Sequence, residues 1–216
     1  MSTSPAEPER PTRPALSREF ILRTALRIVD DEGPDKLTMR HLGAVLGVDP
    51  MAVYHYLPNK AALFDGIVET IWSFIGPASI PTEGGWRQRL AGAMHSFRDV
   101  LRQHPRAVAI LGTRPIATPE LLTSLDRLLG TLVQAGMPAG EDAADLLQAL
   151  VVYTIGQVLA EVGEPIGGAS AGTLDERITP DTHPHLAAIL AGANWTYDPD
   201  RQYDRGLSAL LSGWGA

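Results

Sequence analysis

Tyr54, His55 and Tyr56 stand side by side in the stretch GVDPMAVYHYLPNK, residues 47 to 60, with a proline-marked helix start on either side. Three consecutive residues point in three directions around a helix, so at most one or two of these rings can enter a core. The others must face something outside the chain. Other candidates for chemistry are few. His183 and His185 in THPHL lie two apart, would not share a helix face and have no carboxylate motif beside them, which favours a solvated loop end over a metal site. No Ser-His-Asp spacing signature, phosphate-binding glycine loop or His-Glu-x-x-His occurs. An enzyme reading has no residues to name, and neither a metal nor a cofactor is expected.

The chain has 216 residues, 44% apolar and 20% charged, which is enough for a packed core. It has no cysteine, which excludes disulfides, thiolate metal sites and a thiol nucleophile. No run approaches the roughly 18 apolar residues of a membrane span, and the start MSTSPAEPERPTRPA lacks the apolar region of a signal peptide. A cytoplasmic protein without membrane contact is expected. The net charge of −7 is unevenly spread. Residues 10–60 hold eight Lys or Arg against six Asp or Glu, and the remainder ten against nineteen. That is a mildly basic head on an acidic body, a balance that an ordinary surface can also show.

The elements that would position the three rings read as capped helices. Residues 1–15, spaced by Pro5, Pro8, Pro11 and Pro14, are expected to form a disordered arm. Ser17 caps a first helix whose Phe20, Ile21, Ala25, Ile28 and Val29 recur with a period near 3.6, and which stops at Gly33-Pro34. Thr38 caps a second, with Leu42, Val45 and Leu46 on its apolar side and Gly47 at its end. Asp49 and Pro50 make an N-cap and first-position pair for the third. Pro58-Asn59 opens the fourth, which carries Leu63, Ile67, Ile71 and Phe74. Further helices are expected over 85–103, 105–112, 118–135, 140–162 and 199–212, with a mobile loop over about 163–183 that is rich in Gly, Ser, Thr and Pro. Nothing alternates with period two for long, so the fold class is all-α.

The second and third helices, joined through Gly47 and Val48, have the layout of a helix-turn-helix. Val53 and Leu57, four apart, would anchor the third helix to the second. Met51, Ala52, Tyr54, His55 and Tyr56 are then left to face DNA or its flanks, with one of the two tyrosines open to a core role. Arg40 has the fork that reads guanine O6 and N7, or it pairs with a neighbouring carboxylate. His41 reads as a solvated residue.

At these residues the chain resembles the N-terminal domain of TetR-type transcriptional repressors over roughly residues 16 to 75. The pieces that carry the resemblance are Gly33, Leu37, Thr38 and Arg40, the Tyr-His-Tyr rings, and NKAAL from Asn59 to Leu63. LGTRP (111 to 115), QAG (134 to 136) and YTIGQVLAE (153 to 161) are similar to the tetracycline-repressor branch. The resemblance implies a three-helix DNA-binding domain over 16–60 and a ligand-binding and dimerisation domain over 61–216. It also implies a homodimer that binds a palindromic operator in double-stranded DNA and releases it when a small-molecule effector enters the larger domain. The implied DNA contacts are Thr38 and Lys60 to phosphates, Arg40 to a base edge, and Pro50, Met51, Ala52, Tyr54, His55 and Tyr56 on the recognition helix. Lys60 would sit in the first helical turn, where the dipole prefers an anion, which suits a phosphate placed there. Met51 and Ala52 suit contact with a thymine methyl.

For the effector, the resemblance implies a pocket lined by Phe74, Met94, Phe97, Leu101, Ile110, Leu128 and Val152, with Thr113, Arg114, Tyr153 and Gln157 as its polar groups. Where members that sense magnesium-tetracycline carry two histidines and a glutamate, this chain has Ile110, Val152 and Ala160. An uncharged or weakly anionic, partly aromatic effector without a metal is therefore expected. Glu161, next to Ala160, would turn inward if the register shifted by one. The helix from Asp145 to Glu161 is apolar nearly all round, with Leu146, Leu150, Tyr153 and Gln157 on one stripe and Leu147, Val151, Thr154 and Val158 on another. Such a helix needs partners on two sides. The resemblance assigns it, with Tyr203, Leu207, Leu210 and Leu211 of the last helix, to a four-helix dimer interface, and Leu146, Leu150, Val151 and Val158 are its expected contacts. Burial at the centre of a single chain is the alternative. A non-catalytic helical interaction protein without operator specificity is the second reading of the whole.

Overall fold

The computed structural model describes residues 15–76, 80–114, 118–163, 178–190 and 198–214. Among them are ten α-helices and no strand: α1 (Arg18–Glu32), α2 (Met39–Leu46), α3 (Pro50–Tyr56), α4 (Lys60–Ser73), α5 (Trp86–Gln103), α6 (Val108–Thr113), α7 (Pro119–Gln134), α8 (Glu141–Val162), α9 (Pro184–Leu190) and α10 (Pro199–Gly213). Short 3-10 turns at Pro34–Lys36 and Pro105–Ala107 precede α2 and α6. The arm and most of the expected 163–183 loop lie outside the described residues.

The helix starts are where the caps require them. Ser17 Oγ accepts from Phe20 N at 3.1 Å, Thr38 Oγ1 from His41 N at 3.1 Å, Asp49 Oδ1 from Met51 N at 2.8 Å and Asn59 Oδ1 from Ala62 N at 2.8 Å. Each cap satisfies an N–H that the helix leaves unpaired and stabilises by roughly 0.5–2 kcal/mol. Gly47 ends α2 at φ 69°, a left-handed conformation that a side chain would strain. α9 was not expected. It is only seven residues long, buries none of them, and follows a polar stretch that gives no periodic signal.

One continuous core joins head to body. Ile21, Leu22, Val29, Leu42, Val53, Leu63, Ile67 and Ile71 of the first four helices belong to the same buried cluster as Phe97, Leu101, Val108, Leu111 and Val158. α4 packs on α1 so closely that a Cβ on Gly66 would stand 2.4 Å from Leu22 Cδ2. A second cluster fills the far end of the body around Leu90, Met94, Leu132, Leu150, Tyr203 and Leu207. Val45, expected on the inner side of α2, is 43% exposed, and Met39 and Gly43 are buried instead.

α8 departs from a sequence expectation. Its 22 residues include a window of mean hydropathy 1.5, so one helix is long and apolar enough to cross a membrane by length and composition. Here it packs on α5, α6 and α10, which accounts for its inward apolar side.

Candidate DNA interface and effector groove

The turn between α2 and α3 closes tightly because residue 43 is glycine: a Cβ there would lie 3.1 Å from the carbonyl oxygen of Val48 and 3.3 Å from Pro50 Cα. Val53 and Leu57, 0% and 2% exposed, bind α3 to the head. The opposite side of α3 is open. Met51 is 71% exposed, Tyr54 40%, Tyr56 37%, and His55 is exposed beside them with its ring edge-on to Tyr56 at 5.6 Å. Neither tyrosine takes the core role. Tyr56 instead donates its hydroxyl to Leu16 O at 3.0 Å, pinning the end of α3 to the chain entering α1.

The flanking groups complete the surface. Thr38 and Arg40 are exposed at the start of α2, and Arg40 makes no hydrogen bond or ion pair among the described residues. Its ion-pair alternative is thus not realised, and its fork is open to solvent. His41, next to it, pairs with Glu32 at 2.9 Å. Lys60, exposed at the first position of α4, lies with Nζ 5.4 Å from the ring centre of Phe64. Pro50 and Ala52 are half-buried at the start of α3.

In the body, a groove of about 680 Å³ runs between α4, α6 and α8. Val68, Trp72, Val108, Leu111, Val151 and Ile155 give it apolar walls, Gly112 and Gly156 leave room in it, and Thr113, Arg114 and Gln148 bring polar side chains. A volume of this order suits a drug-sized molecule. Trp72 stacks at 4.5 Å on Phe97, which fixes the indole as a flat wall.

Residues 79–216 match the family described as "Tetracyclin repressor-like, C-terminal domain", and residues 21–67 match "Bacterial regulatory proteins, tetR family". The chain belongs to the TetR family. Its relatives include the class C tetracycline repressor protein of Escherichia coli, 33% identical over 92% of this chain and 90% of that protein. A possible TetR family transcriptional regulator from Streptomyces coelicolor A3(2) has a similar structure, with a TM-score of 0.73 and 31% identity over 91% of this chain and 98% of that one. ActR from Streptomyces coelicolor, solved in complex with actinorhodin, shares the fold at a TM-score of 0.72 and 22% identity, covering 92% of this chain and 96% of that one. This TetR-family chain is therefore a DNA-binding transcriptional regulator and not an enzyme.

The TetR groove gathers fewer of the expected pocket residues than the sequence suggested. Thr113, Arg114 and Val152 line it. Met94, Phe97, Leu101 and Ile110 do not, because they are 0–6% exposed within filled core clusters that leave them no free surface. Phe74 is 40% exposed and stacks outside the groove on His104 at 5.6 Å. Leu128 packs at the far end of the body, and Tyr153 turns its hydroxyl to Gln202 O and Tyr203 O, both at 3.2 Å. Gln157 is 9% exposed and also off the groove wall. Trp72, Val108 and Ile155 were missed. Their periodicity signals only an inward face, which a wall and a filled core share.

The interface assignments need the same correction. Leu146, Leu150, Val158, Leu207 and Leu211 are 0–6% exposed inside one chain, so a second chain has nothing of them left to cover. Val151 and Leu210 are half-buried, while Val152 at 57% and Leu159 at 46% form the outward apolar side of α8.

Glu161 does turn inward, as the shifted register allowed, yet away from the groove. Its side chain, 3% exposed, lies 2.6 Å from Arg98 Nη2 and 3.4 Å from Arg102 Nε, and Asp200 closes the cluster 2.8 Å from Arg98 Nη1. Burial opposes the charge on Arg98, but Glu161 and Asp200 outweigh it and raise the guanidinium's pKa. A carboxylate already neutralised by two guanidiniums is a poor metal ligand. The cluster instead ties α5 to the end of α8 and the start of α10.

Proposed function

We propose that this regulator is a repressor that binds a palindromic operator as a homodimer and leaves it when a small, largely apolar effector occupies the groove. The single observation that carries the reading is the open side of α3. Its exposed methionine and rings, with Arg40 exposed on α2 and Lys60 on α4, belong to a head that shares one core with the groove-bearing body. An effector that fits only one arrangement of that core shifts the population toward it, and two recognition helices spaced wrongly lose successive major grooves.

Dimerisation is supported by α8. Only 28% of its most apolar window is buried inside one chain, which leaves Val152 and Leu159, exposed at the open edge of the groove, for a second copy to cover. The division of labour between residues 16–60 and 61–216, the cytoplasmic location and the individual DNA contacts belong to this same proposal. Absence of a metal from the effector's binding is supported by the groove's described lining, which has no carboxylate and no histidine.

The test is a gel shift with DNA flanking the protein's own gene. A discrete complex on a two-fold symmetric site, resistant to excess non-specific DNA, is expected. Binding that competitor DNA removes as readily from every fragment would favour a helical interaction protein without operator specificity.

A further inference from the structure

Arg114 belongs to two places at once. It lines the effector groove, and it reaches α4, where Nη1 pairs with Asp65 Oδ1 and the guanidinium carbon lies 5.5 Å from the ring centre of Phe64. Lys60, the cation that would meet a phosphate, contacts that same ring at 5.4 Å. One half-buried phenyl ring on the first turns of α4 therefore carries a groove-side cation and a DNA-side cation.

The charge arithmetic of the groove follows from its lining. Arg114 is the one charged side chain among the described lining residues, and it is matched by a carboxylate that stands outside the lining. Both partners are largely covered, with side-chain exposures of 28% and 29%. Partial burial strengthens their attraction relative to an open surface pair and raises the cost of leaving either alone. The bond to Asp65 uses one nitrogen of a fork that carries five donors, so the charged guanidinium keeps further donors for a second oxyanion arriving from the groove. Thr113 offers no rival, since its hydroxyl is committed to Ala109 O at 2.8 Å and Ile110 O at 3.2 Å.

We propose that the effector is an aromatic acid: its flat ring system lies against Trp72 and the aliphatic walls, and its carboxylate or acidic phenol is recognised by Arg114 in competition with Asp65. This deepens the groove reading above and rests on it. As the oxyanion draws Arg114 toward the groove, Asp65 loses its partner and Phe64 one of its two cations, at the turn of α4 that carries Lys60. Recognition of the acid and adjustment of the DNA-facing turn are then the same event.

The experiment is a fluorescence titration of the full-length protein with anthracene-9-carboxylate and with its uncharged primary amide, in wild type and in Arg114→Gln, Asp65→Asn and Gly156→Phe variants. Circular dichroism of each variant checks that it is folded. In wild type the carboxylate should bind at least about 10-fold more tightly than the amide. Asp65→Asn removes the competitor and should tighten the carboxylate several-fold while leaving the amide unchanged. Arg114→Gln should erase the difference between the two probes, and Gly156→Phe, which fills the groove, should weaken both. Equal binding of both probes that Gly156→Phe blocks would overturn the aromatic-acid inference and leave the groove standing. Should Arg114→Gln fail to fold, an Asp65→Asn variant that does not favour the carboxylate overturns it equally. Binding insensitive to Gly156→Phe, or no binding of either probe, overturns the groove reading and the inference with it.

Discussion

His104 Nδ1 lies 2.8 Å from Asp30 Oδ2, so the turn that begins α6 is fastened to the last turn of α1. Arg106, two residues on, donates to the carbonyl oxygens of Asp30 at 3.1 Å and Asp31 at 2.7 Å. These carbonyls belong to the end of a helix, which lacks internal partners and carries the negative end of the dipole. A cation from the body thereby caps a helix of the head. Arg106→Ala should lower stability by about 1–3 kcal/mol, measured as a shift of the urea midpoint at constant slope. An unchanged midpoint would show that the cap carries no weight.

On DNA, Lys60→Ala should weaken binding to every sequence and reduce the salt slope by about one. Arg40→Ala should cost roughly 1–3 kcal/mol and relax preference at one base pair. Anisotropy titrations over a salt series check both. If neither variant moves operator affinity, α3 does not dock as assigned.

Val152 and Leu150 lie on opposite sides of α8, at 57% and 0% exposure. Val152→Asp should convert a dimer to a folded monomer in sedimentation. Leu150→Asp should abolish the folded signal itself, because an unpaired charge would be buried in the core. A wild-type monomer at micromolar concentration would contradict the dimer.

Calorimetric titration with tetracycline, with and without Mg²⁺, separates this groove from a metal-dependent one. No heat that depends on Mg²⁺ is expected, since the described lining offers the ion no carboxylate or imidazole. Tight binding that requires the metal would refute the assignment.

Tyr203 reports on the far core. Burial raises its pKa from 10.0 to about 12, against a hydrogen bond with Thr154 that lowers it. The folded state thus holds the phenol proton more tightly than the unfolded chain does. Its contribution to stability is complete below pH 10 and is lost as pH rises from 10 to about 12. Tyr203→Phe should flatten the stability curve in that window, and ultraviolet absorbance of the wild type should show a phenol that ionises only above its ordinary value of 10.0.

The head was largely legible because its signals are local. Ser17, Thr38, Asp49 and Asn59 each cap within three residues of themselves, and Val53 and Leu57 sit one turn apart. The body was less so. α8 is apolar on nearly every side, so its sequence does not say that Leu150 points in and Val152 out. Phe97 and Trp72 show the same helical period, yet only Trp72 lines the groove. Arg98 and Glu161 are 63 residues apart, and a buried ion pair at that separation leaves no local trace.

α3 is held by few attachments: Val53 beneath it, the Asp49 cap, Leu57 just past its end and the Tyr56 hydroxyl on Leu16. Met51, Tyr54 and His55 contribute almost nothing to that scaffold. On the proposed docking of α3, substitutions there would rewrite the DNA sequence being read while the fold stays the same, so a lineage carrying this head would drift to new target genes through steps that selection on folding does not see.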